Sequence, residues 1–112
     1  MKRNEIWWAS LPDAVASAPG FRRPVLIVQA DAFNISNINT VIVLAITSNL
    51  NLANAPGNVF ISTKQSGLTK DSVINVSQIL TIDKSFLSEY VGSLSAKMMQ
   101  QVEEGLRLSL AL

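Results

Sequence analysis

Two adjacent arginines stand where a loop meets an apolar run, and they are the first candidates for an anion-binding site. Arg22-Arg23-Pro24 follows a stretch broken by prolines and leads directly into Val25-Leu26-Ile27-Val28. An arginine fixed at the end of a strand can present its planar guanidinium group to a phosphate through two parallel hydrogen bonds. On composition alone, an exposed pair that only improves solubility is the more common explanation.

Three short hydrogen-bonding side chains, Thr47-Ser48-Asn49, follow a second apolar run that ends at Ile46. Hydroxyl and amide groups at the end of a strand suit an anion site because they donate hydrogen bonds to phosphoryl oxygens. A polar turn without any ligand explains the same residues, and it is the more common case when they are taken alone. Neither polar segment is therefore specific by itself.

The residue types that are missing from the sequence exclude several kinds of catalysis. The 112 residues contain no histidine and no cysteine, which excludes serine–histidine triads, histidine-pair nuclease chemistry, thiolate chemistry and disulfides. The acidic residues lack the spacing of metal ligands, and neither a glycine-rich phosphate loop nor a nucleophile elbow is present. We therefore expect no metal and no cofactor.

The charge balance is nearly even, with a formal net charge of +1. That value does not indicate a protein that coats duplex DNA, but it permits a local basic patch for RNA. No apolar run reaches the roughly 18 residues of a membrane span, and Glu5 and Pro12-Asp13 argue against a signal peptide. We expect a soluble cytoplasmic protein.

The elements that must position these residues are mostly strands. Trp7 and Trp8 lie in the first of them, where alternation directs one ring into the core and the other outward, to stack on a base or to enter a dimer interface. A loop is predicted from Leu11 to Gly20, and 72–82 is predicted as one long strand or two short ones. The predicted strands cover 5–9, 24–29, 40–46, 58–62, 72–82 and 90–94.

The end of the chain changes from strand to helix periodicity. Its apolar stripe, with Ser95 as a plausible N-cap, consists of Met98, Met99, Val102, Leu106 and Leu110. Gly105 inside this helix costs about 1 kcal/mol relative to alanine, so packing must hold the helix. The pattern predicts one domain over 1–112, a compact and mostly antiparallel barrel with a C-terminal helix.

Six segments, in the same order along the chain, resemble the MazF/PemK family of toxin–antitoxin ribonucleases. The strongest are Gly20-Phe21-Arg22-Arg23-Pro24-Val25-Leu26-Ile27-Val28-Gln29 and Val43-Leu44-Ala45-Ile46-Thr47-Ser48-Asn49. The opening Met1-Lys2-Arg3-Asn4-Glu5-Ile6-Trp7 is similar too, although Asn4 stands where the family usually has glycine. Later landmarks are Asp71-Ser72-Val73, Gln78-Ile79-Leu80-Thr81-Ile82-Asp83 and the tail 108–112.

The resemblance implies a mainly β fold, an SH3-like (CcdB/PemK-type) β-barrel with a C-terminal α-helix, which forms a homodimer. It implies metal-free cleavage of single-stranded RNA at short recognition sequences, and inhibition by a MazE-like antitoxin with an acidic tail. Arg23 and Thr47 match the family's catalytic residues. The RNA-binding residues expected from the same resemblance are Ser17, Gly20, Arg22, Ser48, Asn49, Ser77 and Gln78.

Several positions depart from the family pattern. The loop reads Ser17-Ala18 where a carboxylate is often found, Ser77 replaces an acidic residue, and Asn75 stands where some relatives have arginine. The general base is therefore unassigned. Two alternatives stay open: a barrel kept only for binding an antitoxin, and a CcdB-like toxin directed at gyrase, against which the Arg23 and Thr47 segments argue.

Overall fold

A computed structural model of the chain describes residues 1–11 and 22–112. Its main element is one six-stranded sheet in the order β4-β5-β3-β2-β1-β6, and every neighbouring pair is antiparallel. The strands are β1 (Glu5–Ser10), β2 (Arg22–Ile27), β3 (Thr40–Thr47), β4 (Val59–Ile61), β5 (Ser72–Asp83) and β6 (Leu87–Ser93).

The sheet curls into a half-barrel, so that its two edges approach each other. A one-turn helix, α2 (Thr63–Ser66), follows the edge strand β4 and packs against the opposite edge strand β6. The approach is close: a Cβ atom added to Gly92 would lie 2.9 Å from the carbonyl oxygen of Ser66. The expected mainly β, SH3-like architecture is confirmed.

Both faces of the curled sheet carry a hydrophobic core. On one face, Leu26, Leu44 and Ile46 pack against the C-terminal helix α3 (Ala96–Leu110). On the other face, Val25, Ile27, Val41 and Val43 form a second cluster. Strands buried on two sides need continuous apolar runs, which explains why β2 and β3 are so clearly marked in the sequence.

The two tryptophans lie on opposite faces of β1, as strand alternation predicted, but the expectation that one ring points away from the core is wrong, because both rings pack against a core. Trp8 packs against the core under α3, whereas Trp7 packs against the second core. Both rings are half-buried, so neither is a fully enclosed core residue. Trp7 makes an edge-to-face contact with Tyr90 at 5.8 Å between ring centroids.

Helix α3 begins where the sequence predicted, because the Ser95 side chain accepts a hydrogen bond from the backbone N–H of Met98. Met98, Met99 and Val102 are buried in the core. The predicted apolar stripe is wrong at its end, since Leu110 is 50% exposed. The last helical turn still contacts the sheet, because the Ser109 hydroxyl donates a hydrogen bond to the carbonyl oxygen of Val76 in β5, but Leu110 lies on the exposed side of that turn.

Gly105 lies in the middle of α3 for a reason that helix propensity does not show. A Cβ atom there would clash with the carbonyl oxygen of Gly57, which itself has a φ of +80° in the turn before β4. Glycine is thus required at both positions, one for close approach and one for backbone conformation. The contact fixes α3 against the β3–β4 connection.

Two short helices were missed by the sequence analysis. They are α1 (Asp31–Asn34), in the predicted turn after β2, and α2. Single helical turns contain too few residues to show a period of 3.6. Within the described ranges, no helix is long and apolar enough to cross a membrane.

Candidate functional site

The strands β2 and β3 stop pairing at Pro24. Their ladder joins Ile27 to Val43, Leu26 to Leu44 and Val25 to Ala45, and it ends there. Proline has no backbone N–H and cannot continue a ladder. In the same register, the next two residues of β2 would face Ile46 and Thr47, so Arg23 and Thr47 occupy opposing positions just beyond the last pair.

A cleft of about 300 Å³ opens at this point. Its walls come from the ends of β1, β2 and β3 and from the segment that leads into β5. The lining residues are Trp8, Arg22, Arg23, Pro24, Ile46, Thr47, Ser48, Leu68, Thr69, Lys70 and Ser72. The structure therefore brings together four of the residues predicted from the sequence. They are the predicted catalytic residues Arg23 and Thr47 and the predicted RNA-binding residues Arg22 and Ser48.

Arg23 is half-buried and lies opposite Ala9 in the β1–β2 ladder. Its Nη1 atom is buried and donates no hydrogen bond to any atom of residues 1–11 or 22–112. Leaving a buried donor without an acceptor costs about 1–3 kcal/mol, and more when the group is charged. The described residues thus leave a donor of this guanidinium group unsatisfied, on a side chain that lines the cleft.

The Thr47 hydroxyl is oriented by its own strand end. Its Oγ1 accepts a hydrogen bond of 3.1 Å from the backbone N–H of Asn49. Because a hydroxyl is both an acceptor and a donor, this contact leaves its hydrogen available for a ligand. Thr47 is half-buried at the cleft and can donate that hydrogen bond to an anion next to Arg23.

Arg22 lies on the opposite face of β2 from Arg23 and is already engaged. Its Cζ lies 4.6 Å from the ring centroid of Trp8, a cation–π contact. Its Nη2 forms an ion pair with Glu89 of β6 at 2.6 Å. Both side chains of this ion pair are largely exposed, so its net stabilisation is small. Arg22 thus covers Trp8 at the edge of the cleft.

The wall on the β5 side of the cleft, across β3 from β2, was missed by the sequence analysis. It is formed by the segment from Leu68 to Ser72, in which Lys70 and Ser72 line the cleft. Ser72 is buried, and its hydroxyl donates to the carbonyl oxygen of Lys70 at 3.0 Å. The pairing of Thr47 with Val73 carries these residues to the site. A prediction that the runs 40–46 and 72–82 pair as antiparallel neighbours would have identified them.

Three predicted RNA-binding residues do not line this cleft. The Asn49 side chain caps the 3₁₀ turn Leu50–Asn54 by accepting a hydrogen bond from the N–H of Asn51. Ser77 and Gln78 lie in a bulge of β5. Residues 76–78 pair with no residue of β3, because Ala45 pairs with Asn75 and its neighbour Leu44 pairs with Ile79. Their roles stay predictions. Ser17, Gly20 and the Ala18 position lie outside the described residues.

The charge of the cleft is positive. Its ionisable lining residues in the described part of the chain are Arg22, Arg23 and Lys70, and no carboxylate is among them. Elsewhere in that part, no three acidic side chains come together in a group that could hold a metal ion. The fold and the site together define a small mainly β protein with a cationic, hydroxyl-containing cleft at the end of a sheet.

Comparison with known proteins shows which family the chain belongs to. The sequence model of the PemK-like, MazF-like toxins of type II toxin–antitoxin systems matches residues 2–110. The chain is 46% identical over 107 residues to endoribonuclease MazF6 of Mycobacterium tuberculosis, covering 96% of this chain and 94% of the relative. It is 42% identical over 112 residues to endoribonuclease EndoA of Bacillus subtilis, covering 100% and 96%. The chain therefore belongs to the PemK-like, MazF-like toxin family.

A solved structure confirms the fold. The chain is similar to a mycobacterial endoribonuclease in complex with its cognate antitoxin, with a TM-score of 0.81 and 22% identity. The likeness covers 100% of this chain and 96% of that one.

Proposed function

We propose that this chain is the endoribonuclease toxin of a type II toxin–antitoxin system and that it cuts single-stranded RNA in the cleft between β2 and β3. The relatives that share 46% and 42% of its residues are named endoribonucleases. The observation that carries the assignment of the site is the shared cleft of Arg23 and Thr47. Their roles as catalytic residues are part of the proposal.

The chemistry uses a nucleophile that RNA supplies itself. The 2′-hydroxyl attacks the adjacent phosphorus, the bond to the 5′-oxygen breaks, and the products are a 2′,3′-cyclic phosphate and a free 5′-hydroxyl. Negative charge grows on the phosphoryl oxygens as the transition state forms. Arg23 neutralises that charge and Thr47 donates a hydrogen bond to it, which is electrostatic stabilisation by groups already in place. No step of this scheme uses a metal ion.

The proposed partner is an antitoxin with an acidic segment. A solved relative is an endoribonuclease bound to its cognate antitoxin. A segment that carries carboxylates would meet the same cationic residues as RNA, namely Arg23 and Lys70, and would exclude the substrate. We also propose that the protein is a homodimer and that it acts in the cytoplasm, where RNA is available. Light scattering during size-exclusion chromatography measures the oligomeric state.

The test uses a long single-stranded RNA incubated with the purified protein in EDTA, in parallel with Arg23→Ala. We expect cuts at defined positions, with cyclic-phosphate ends, and a loss of about 10²–10³ in rate in the variant. Lys97→Ala, an exposed cation on α3, is the matched control and keeps its activity. Intact RNA together with tight binding of an antitoxin would instead identify a binding module that has lost its chemistry.

A further inference from the structure

The proposed reaction has a second requirement that Arg23 and Thr47 do not meet. When the bond from phosphorus to the 5′-oxygen breaks, that oxygen leaves as an alkoxide, which is strongly basic and needs a proton. General acids supply such protons in enzymes and contribute about 10²–10⁴ to the rate. The chain has no histidine to act in this way, so a general acid has to be sought among the other side chains at the cleft.

Two of the three cleft cations are poor candidates for that donor. Arg22 is held by Glu89 at 2.6 Å and lies over the Trp8 ring. Arg23 is fixed in the β1–β2 ladder and is suited to neutralising the phosphoryl oxygens. A guanidinium group also holds its proton too tightly to be an effective acid near neutral pH.

Lys70 remains, and its surroundings leave its ammonium group available. In residues 1–11 and 22–112 no carboxylate forms an ion pair with it, since the ion pairs there are Arg3–Glu103 and Arg22–Glu89. The neighbouring carboxylate of Asp71 accepts a hydrogen bond from the backbone N–H of Thr63 at 3.0 Å, on the side of α2. The bond from Ser72 Oγ to the Lys70 carbonyl oxygen holds the backbone at the cleft wall.

The two walls of the cleft suit an in-line displacement. Arg23 and Thr47 come from the ends of β2 and β3, whereas Lys70 comes from the wall that leads into β5. A phosphate bound by the first two residues would therefore have the lysine on another side. In-line displacement puts the attacking and leaving oxygens on opposite sides of the phosphorus, so an acid is needed away from the groups that bind the other oxygens.

We propose that Lys70 is the general acid of this ribonuclease, an inference that rests on the proposed function. The 2′-oxygen forms its bond to phosphorus and releases its proton to water. The bond from phosphorus to the 5′-oxygen breaks, and that oxygen takes a proton from Lys70 Nζ. The neutral amine then regains a proton from water. The net change is cyclic phosphate and 5′-hydroxyl from one phosphodiester linkage, without consumption of any other reagent.

The experiment compares two leaving groups at one cut site, mapped beforehand on a long RNA. A DNA strand with a single ribonucleotide at the cut site is made in two forms, one with the normal 5′-oxygen and one with sulfur in its place. A thiolate is a stable leaving group, because thiols ionise at about pH 8.5, so its departure needs no acid. Lys70→Met, Lys70→Arg, Arg23→Ala and the exposed control Lys64→Met are assayed on both strands in single turnovers.

We expect Lys70→Met to cleave the oxygen strand about 10²–10³ times more slowly and the sulfur strand at nearly the wild-type rate. The difference between the two strands should appear in the rate of the bound complex, and Lys70→Arg should keep the affinity for the strand without restoring that rate. Lys64→Met should match wild type on both strands. Equal loss on both strands, or no loss on the oxygen strand, would overturn the role of acid. If wild type makes no cut in the long RNA used for mapping, the proposed function itself fails. Arg23→Ala should be slow on both strands, because its role does not depend on the leaving group, and this separates it from Lys70→Met.

Discussion

At the scale of single residues, the oxygen and the hydrogen of the Thr47 hydroxyl group have different roles. The oxygen accepts from the Asn49 N–H, and the hydrogen is left for the phosphate. Thr47→Val keeps the shape of the side chain and removes both contacts. We expect cleavage to fall by about 10²–10³ with little change in RNA affinity, because the lost donor acts on charge that develops in the transition state.

Single-turnover cleavage and binding of an uncleavable strand measure the two quantities separately. Thr47→Ser is the matched control, because it retains the hydroxyl and should keep most of the rate. A valine variant as fast as wild type would remove Thr47 from the mechanism.

Asp31 makes the fold sensitive to acid. Its carboxylate accepts a hydrogen bond of 2.8 Å from the backbone N–H of Arg3 and one of 3.0 Å from Asn34, and these contacts lower the pKa of Asp31 below its ordinary value of 3.8. A depressed pKa means that the ionised carboxylate stabilises the fold. That stabilisation is complete above the unfolded-state pKa and is lost as the pH falls through the lower, folded-state pKa.

Asp31→Asn should therefore lower the melting temperature at neutral pH. The difference between variant and wild type should shrink as the pH is taken from about 5 to about 2. Thermal unfolding followed by circular dichroism at each pH checks this, and a difference that stays constant down to the acid end would refute it.

At the scale of elements, α3 contains a glycine that looks like a defect and is a packing requirement. Gly105→Ala gains up to about 1 kcal/mol of helix propensity but places a methyl group against the Gly57 carbonyl. Overpacking of this kind typically costs about 1–3 kcal/mol, so we expect a net loss of stability.

The measurement is the free energy of unfolding in urea. Gln101→Ala, at an exposed position of the same helix, is the matched control and should be neutral or slightly stabilising. A Gly105→Ala variant more stable than wild type would mean that the helix shifts away from the turn at little cost.

The elements also show which parts of the site a sequence can predict. The apolar runs that become β2 and β3 are continuous because both of their faces are buried, and they placed Arg23 and Thr47 at strand ends. Lys70 and Ser72 were not identified, because they reach the cleft only through the pairing of β3 with β5. The bulge at 76–78 was equally hidden, since its backbone is held by distant groups, Asn58 and Ser109. Contacts between residues far apart in sequence leave no local pattern.

At the scale of the whole molecule, a net charge of +1 conceals an uneven distribution. The cleft gathers Arg22, Arg23 and Lys70, and only the first of them has a carboxylate partner among the described residues. A strand of DNA lacks the 2′-hydroxyl but carries the same phosphates, so it should bind without being cut.

The affinity of the protein for such a DNA strand should fall as the salt concentration rises. With two unpaired cations and about 0.7 counterions released per phosphate neutralised on a single strand, the logarithmic slope of the affinity against salt concentration should be about −1.4. Fluorescence anisotropy of a labelled DNA strand at several salt concentrations measures it. An affinity that does not depend on salt would show that the cleft does not bind the phosphates.

The separation of β2 from β3 at Pro24 also bears on how such an enzyme can be restrained. Because Pro24 has no backbone N–H, it cannot donate a ladder hydrogen bond to a neighbouring strand, whether or not a ligand is bound. Among the residues that the structure describes, β2 and β3 therefore cannot cover Arg23 and Thr47 by pairing with each other. With the function proposed above, the restraint would have to come from a partner that fills this gap, as the proposed acidic segment of an antitoxin would.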